Sequence, residues 1–155
     1  MSLNQIFWLA HVPAAIGWLA LLLPVGSFRA RRRTAMFCGA AAALVYTGAF
    51  FASPEAAVLI RDYSLTGVAA FFDVPHLQLA GWTHYLVLDL WAGIWEADEA
   101  DRAGMDRRLL VPCLLTTAMI GPVGLLLFLV CATLARGRAG RGSRTSADGA
   151  GPLGQ

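Results

Sequence analysis

Apolar residues fall into four long stretches, separated by short segments that carry most of the charges. The stretches cover residues 3–27, 34–52, 76–96 and 109–135. Each is long enough to cross a hydrocarbon core of about 30 Å at about 1.5 Å of rise per residue. The pattern therefore predicts four membrane-spanning helices within a single domain, residues 1–135.

The segment between the second and third stretches, residues 54–75, combines four charged residues with the apolar run Leu65–Phe72. The charges argue against a span, and an apolar run flanked by charges is typical of a helix in the membrane interface. We therefore expect an all-α integral membrane four-helix bundle, with a short interfacial helix between helices 2 and 3. A fifth crossing at 54–75 is the alternative, because it would place both Arg clusters on one side of the membrane.

Composition supports a location in the bilayer. Of the 155 residues, 57% are hydrophobic and 14% are charged, against roughly 25% charged residues in soluble domains. The net charge of +2 is too small to indicate a nucleic-acid partner. The Arg-, Gly- and Ser-rich tail, residues 136–155, is expected to be disordered. We expect a multi-pass membrane protein, in the plasma membrane if the source is bacterial.

Cysteines point to no metal site. Cys38, Cys113 and Cys131 lie inside apolar stretches, without CxxC spacing and without a neighbouring His. Thiols in such surroundings pack like small apolar groups. We infer neither a disulfide nor a bound metal from them, and no cofactor from the chain.

The third apolar stretch carries an unusual number of polar groups. At about 100° per residue, one side holds Gln78, Tyr85, Asp89 and Glu96, flanked by Trp82, and a different side holds His84, Trp91 and Trp95. Ionisable groups at membrane depth are costly, and they usually face a bundle interior or a wet cavity. This helix is therefore expected to be central in the bundle.

Asp89 is the first candidate for chemistry, as a buried acid that donates a proton. His84 is a candidate base, and His11, which shares a face of the first stretch with Asn4 and Trp18, is a candidate partner across the bundle. The competing interpretation of each is a buried polar group that only joins helices. The side chains expected to bind an apolar substrate are Trp82, Tyr85, Trp91, Gln78, His76 and Trp18.

The fourth stretch contains two breaks in its helical pattern. Pro112 suits a first helical turn. The sequence Gly121-Pro122-Val-Gly124 predicts a kink at which another backbone approaches closely.

Several of these motifs resemble one family. The chain resembles the abscisic acid-deficient 4 (ABA4-like) family. The resemblance lies in the stretch from Ala80 through Trp82, His84, Asp89 and Leu90, then in Asp98, Pro112-Cys113-Leu114-Leu115 and Gly121-Pro122-Val-Gly124-Leu125. The resemblance covers about residues 76–130. It implies a small four-helix membrane protein, and plant members are associated with neoxanthin synthesis from the epoxy-carotenoid violaxanthin.

The resemblance implies a reaction of epoxide-to-allene type. An acid protonates the epoxide oxygen as the C–O bond breaks, and a base removes a proton from the adjacent polyene, which requires no redox cofactor. The leading hypothesis is therefore an ABA4-like protein that binds, or isomerises, a carotenoid or another apolar isoprenoid.

Two further hypotheses remain. One is a non-catalytic binding or assembly protein, in which the polar stripe contacts a membrane-protein partner or a second copy of the chain. The other is a haem protein with His11 and His84 as axial ligands.

Overall fold

The structure, a computed structural model, describes residues 1–56, 61–62 and 64–148, with side chains as far as Arg136. It is all helical in this part of the chain, which confirms the expected fold class. The helices are α1 (Leu3–Leu22), α2 (Phe28–Phe51), α3 (Leu65–Asp73), α4 (Pro75–Arg102) and α5 (Arg107–Asp148). The chain divides into two compact units, Met1–Trp95 and Glu96–Gln155.

Serine caps begin the first two helices. Ser2 accepts a hydrogen bond from the Gln5 backbone at 3.3 Å, and the Gln5 side chain accepts one from the Ser2 backbone at 2.8 Å, which is a complete capping box. Ser27 caps α2 through the Ala30 N–H at 3.2 Å. Because α2 begins at Phe28, the arginines that follow lie in its first turns, outside the predicted stretch 34–52.

Small residues bring the helices of the first unit close together. A methyl group on Gly17 of α1 would lie 2.7 Å from Cδ2 of Leu90, which is fully buried on α4. A methyl group on Gly39 of α2 would lie 3.2 Å from Nε1 of Trp91. Such contacts are typical of helix packing in membranes, where small residues let backbones approach. They make α4 a shared neighbour of α1 and α2.

Helix α3 is the short helix expected between helices 2 and 3. Ser64 caps it by accepting the Gly67 N–H at 3.0 Å, and Asp62 accepts the Ser64 N–H at 2.9 Å. Hydrogen bonds from the Ser64 side chain and backbone hold the pKa of the Asp62 carboxyl below its ordinary value. Phe72, near the end of α3, packs against Gly81 of α4. A position in the membrane interface stays a prediction.

In the described part of the chain, three helical segments are long and apolar enough to cross a membrane: Leu3–Leu22, Phe28–Phe51 and Arg107–Arg136. Apolar helices of this length make the chain a membrane protein. Helix α4 is not among them, because its polar side chains lower its mean hydropathy. The predicted span 76–96 therefore stays a prediction.

Helix α5 is broken at Ile120, whose φ of −143° and ψ of 54° are not helical. Gly124 packs directly against the backbone of Thr117, so that any side chain at position 124 would collide with it. The kink predicted from Gly121-Pro122-Val-Gly124 is thereby confirmed. Pro112 lies well inside the helix rather than in its first turn, since α5 begins at Arg107 after the Asp106 cap.

Beyond the break, α5 folds back on itself. Arg136 forms an ion pair with Glu99, near the end of α4, and the Met105 N–H donates to Ala100 O at 2.9 Å across the turn before α5. A straight helix from 107 to 136 would separate its ends by roughly 43 Å, which excludes this pair. Residues 107–136 therefore form two antiparallel arms, the α5 hairpin, and the predicted span over 109–135 stays a prediction.

Helix α5 extends to Asp148, into the segment 136–155 that we expected to be disordered. Residues 149–155 lie outside the described part of the chain. The expectation of disorder stays a prediction.

Candidate functional site

The polar stripe of α4 lies along one side of the helix in the first unit. Trp82 and Tyr85 are 51% and 57% exposed, and Asp89 is half-buried. Gln78 is also exposed. At about 100° per residue these four side chains lie within about 60° of one another. They form a strip of hydrogen-bonding groups between apolar walls.

His11 and Trp82 join α1 to α4. The His11 Nδ1–H donates to Phe7 O at 2.7 Å, and the Trp82 Nε1–H donates to His11 Nε2 at 2.8 Å. Because a carbonyl only accepts and an indole N–H only donates, the two bonds specify the neutral imidazole with its proton on Nδ1. Both ring nitrogens of His11 therefore have hydrogen-bond partners. This supports the interpretation that His11 positions the Trp82 ring.

A cavity of about 470 Å³ opens beside this pair, between the amino-terminal ends of α1 and α4. Asn4 and Gln78 supply its polar atoms, and Phe7 and Trp82 supply aromatic walls. Its volume is within the range of roughly 300–1,000 Å³ that is usual for small-molecule sites. The cavity therefore combines apolar walls with hydrogen-bonding groups at one end.

His84 lies on another side of α4, against α2. Its ring centre is 5.7 Å from that of Tyr46 and 6.2 Å from that of Tyr85. Together with Phe71, Phe72 and Gly81, these three side chains line a second cavity, of about 210 Å³. No described residue forms a hydrogen bond with the His84 ring. Both of its nitrogens are available to a ligand in this aromatic cavity.

Asp89 lies apart from both histidines. Its carboxylate forms no hydrogen bond or ion pair with a described residue, and it lines neither cavity. It is one helical turn beyond Tyr85, on the same side of α4. It is about 7.5 Å further along the axis than His84 and about 140° around it. The structure therefore separates Asp89 from His84.

The family comparison covers the helices that carry these groups. A family model described as ABA DEFICIENT 4-like matches residues 5–128, which is more than half of the chain. The chain belongs to the ABA4-like family. No curated protein and no solved structure matches it. The match confirms the resemblance seen over residues 76–130 and extends it to the first two helices.

The remaining predicted residues of this ABA4-like protein serve other contacts. The Trp18 ring packs over Gly93, and Trp91 packs against Gly39, so both belong to helix packing. His76 lies at the start of α4 and lines neither cavity. Their substrate-binding role stays a prediction without support from the geometry.

The haem hypothesis does not fit the ABA4-like structure. His11 meets Trp82, whereas His84 is about 200° further around α4 at about 100° per residue. His84 contacts Tyr46 on α2 instead of facing α1. The two histidines therefore cannot ligate one iron. Within the described residues, no group of three or more His, Cys, Asp or Glu side chains is placed to hold a metal ion.

Sequence reasoning passed over Glu96 in this ABA4-like chain. The helical angles place Glu96 on the polar side of the third stretch, but it is not among the predicted site residues. In the second unit it is fully buried, and Thr117 of α5 donates a hydrogen bond to it at 2.7 Å. The available signal is an acidic residue near the end of a long helix, followed by an apolar helix that carries the pair Thr116-Thr117.

Proposed function

We propose that this protein is a multi-pass ABA4-like membrane protein that binds a carotenoid or a related apolar isoprenoid lipid beside α4, and isomerises it. The observation that carries the proposal is the pair of aromatic-lined cavities on the two sides of the α4 polar stripe. Family membership supports the choice of ligand class, because the plant members are associated with carotenoid chemistry.

The cavities suit the end of a long apolar molecule. A cyclic end group with one oxygen would be held by aromatic walls, and its oxygen would meet the amides of Asn4 and Gln78 or the ring of His84. Both cavities are too small for an entire carotenoid. The remaining chain of such a ligand would therefore lie along the exposed apolar surface of the helices, where it is in contact with lipid.

His84 is the group best placed to exchange a proton with such a ligand. An epoxide isomerisation forms one O–H bond as the C–O bond breaks, and it breaks one C–H bond on the neighbouring carbon, so the atoms balance without a co-reactant. In the proposal His84 accepts the carbon-bound proton, because its ring nitrogens face the aromatic cavity without a described partner. The Tyr85 hydroxyl, which lines the same cavity, supplies the proton for the oxygen, whereas Asp89 lies outside this cavity.

The test is extraction of pigments and lipids from the purified full-length protein, compared among four samples. These are the parent, His84→Ala, Asp89→Asn, and the control His76→Ala, which changes a histidine of the same helix outside both cavities. All four are produced in cells that synthesise epoxy-carotenoids, and chromatography identifies what is bound.

We expect a carotenoid or isoprenoid in the parent and in the His76→Ala control. In His84→Ala it should be lost, and in Asp89→Asn it should be retained and converted as in the parent, because Asp89 lines neither cavity. If the parent holds only bulk lipid, the binding proposal is wrong. If Asp89→Asn removes a co-purifying membrane protein or dissociates an oligomer, the stripe serves assembly instead.

A further inference from the structure

Glu96 lies in the second unit, on the side of α4 that meets the first arm of the α5 hairpin. Its side chain is fully buried, and the Thr117 Oγ1–H donates to Oε1 at 2.7 Å. The second carboxylate oxygen, Oε2, is also buried and has no hydrogen-bond partner among the described residues. A buried carboxylate is costly unless its charge is compensated and its oxygens are satisfied.

No side-chain cation of the described residues compensates Glu96. Arg102, at the end of α4, and Arg136, on the hairpin, both pair with Glu99, one turn further along α4. Those groups are partly exposed, whereas Glu96 is not. An ionised Glu96 carboxylate would therefore have no counter-charge from the described side chains.

The break in α5 frees a backbone oxygen next to Thr117 in the chain. Thr117 contacts Glu96 through its hydroxyl and Gly124 through its backbone, so the carboxylate lies at the break. Pro122 has no N–H, so the carbonyl of Ala118, four residues earlier, lacks its helical donor. In membrane transporters, the freed backbone carbonyls of broken helices coordinate Na⁺ or H⁺.

We propose that Glu96 and Thr117, at the break of the α5 hairpin, bind one monovalent cation, with sodium as the matching ion. One carboxylate balances one positive charge, and carboxylate, hydroxyl and carbonyl oxygens are hard donors that favour such ions over soft metals. A divalent ion would require further carboxylates, and no described group supplies them. The cation would neutralise Glu96 and hold the end of α4, residues 96–102, against the hairpin.

Two thiols of the hairpin, Cys113 and Cys131, also lie near Glu96. Cys113 and Cys131 lie against each other across the two arms, and Cys113 also interacts with Glu96. The Cys113 thiol donates to Leu109 O at 3.2 Å, so it is directed away from the role of an ion ligand. Neutral thiols leave the charge of Glu96 uncompensated, which is consistent with a bound cation.

Thermal unfolding of the purified full-length protein in detergent tests the proposal. Sodium chloride is titrated against choline chloride at constant ionic strength. The samples are the parent, Glu96→Gln, Thr117→Val, Thr117→Ser and the control Glu99→Gln, which changes a partly exposed acid of the same helix. An ion that binds only the folded state raises the midpoint in a saturable way.

Sodium should raise the midpoint temperature of unfolding for the parent, Thr117→Ser and Glu99→Gln. The midpoint of Glu96→Gln should not change with sodium. Thr117→Val should weaken the apparent affinity for sodium about tenfold, because it removes an oxygen next to the charge. Equal midpoints in sodium and choline for the parent would overturn the proposal and indicate a protonated Glu96. If Glu96→Gln does not fold, binding of radiolabelled sodium is measured on the parent and on Thr117→Val. Equal binding by the two proteins, or no binding by the parent, also overturns the proposal. None of these readouts requires an isoprenoid ligand.

Discussion

The indole N–H of Trp82 donates to Nε2 of His11 across 2.8 Å, and this bond connects the amino-terminal halves of α1 and α4. The bond from His11 Nδ1 to Phe7 O fixes the orientation of the imidazole on α1. Trp82 in turn forms a wall of the larger cavity. The pair therefore links helix packing to the shape of the proposed binding site.

Trp82→Phe tests the contribution of this bond. The substitution keeps an aromatic ring but leaves His11 Nε2 without its donor, so we expect a loss of about 1 kcal/mol in the free energy of unfolding. Denaturant unfolding in detergent measures it. The control is Trp8→Phe, the same ring exchange at an exposed residue of α1.

The double substitution separates the bond from the rest of the Trp82 ring. In a His11→Phe background, Trp82→Phe should cost less than in the parent, because the bond is already absent. An equal cost in both backgrounds would show that the two side chains are not coupled.

Gly17→Ala tests the close approach of α1 and α4. The added methyl group would lie 2.7 Å from Cδ2 of Leu90, which is too close for both to stay in place. Overpacking of this kind costs about 1–3 kcal/mol. Gly48→Ala on α2 is the matched control, because no atom lies within 4 Å of the added methyl group. We expect it to be neutral or slightly stabilising. Similar unfolding free energies for the two variants would contradict the packing of Leu90 on Gly17.

Sequence periodicity predicted the helices well. It did not predict one helix start, or the features that depend on contacts between helices. The start of α2 was placed at residue 34 because consecutive arginines look like a loop, although Ser27 is an ordinary cap signal. The break at Ile120 could be predicted from Gly121 and Pro122. The fold-back could not, because it depends on contacts such as Arg136 with Glu99, far apart in sequence.

The candidate site shows the same limit. Helical angles correctly separated His84 from the side of α4 that carries Asp89, because that separation is a property of one helix. Whether His11 meets His84 or Trp82 depends on how α1 and α4 are rotated against each other, which one sequence does not contain. The burial of Glu96 depends likewise on Thr117, 21 residues away along the chain.

Ser64→Ala tests the cap of α3, whose Phe71 and Phe72 line the smaller cavity. Loss of the Ser64 hydroxyl leaves the Gly67 N–H without its acceptor, which costs about 1 kcal/mol of local stability. Hydrogen exchange should be faster in residues 65–73 and unchanged in α1. Unchanged exchange in α3 would contradict this role for the cap.

Asp62 gives the same region a dependence on pH. Its carboxyl has a lowered pKa in the folded protein, so its hydrogen bonds with Ser64 stabilise the start of α3 above the ordinary carboxyl pKa of about 3.9. This contribution is lost as the pH falls through the lowered value. Exchange in residues 65–73, corrected for the intrinsic rate, should therefore accelerate in acid. Asp62→Asn keeps an acceptor oxygen but does not titrate, so it should show no such acceleration. The same acid response in that variant would assign the effect to another group.

Cross-linking of Cys113 to Cys131 tests the α5 hairpin. In a straight helix their Cα atoms would be roughly 27 Å apart, whereas in the hairpin their side chains are in contact. A short reagent that joins two thiols should therefore link them within one chain of a Cys38→Ala variant, which contains no other cysteine. Mass spectrometry after proteolysis identifies the linked peptides, and a further Cys131→Ala substitution should leave only single adducts. Single adducts on both cysteines of Cys38→Ala would instead indicate a continuous helix, and the packing of Gly124 on Thr117 would then be wrong.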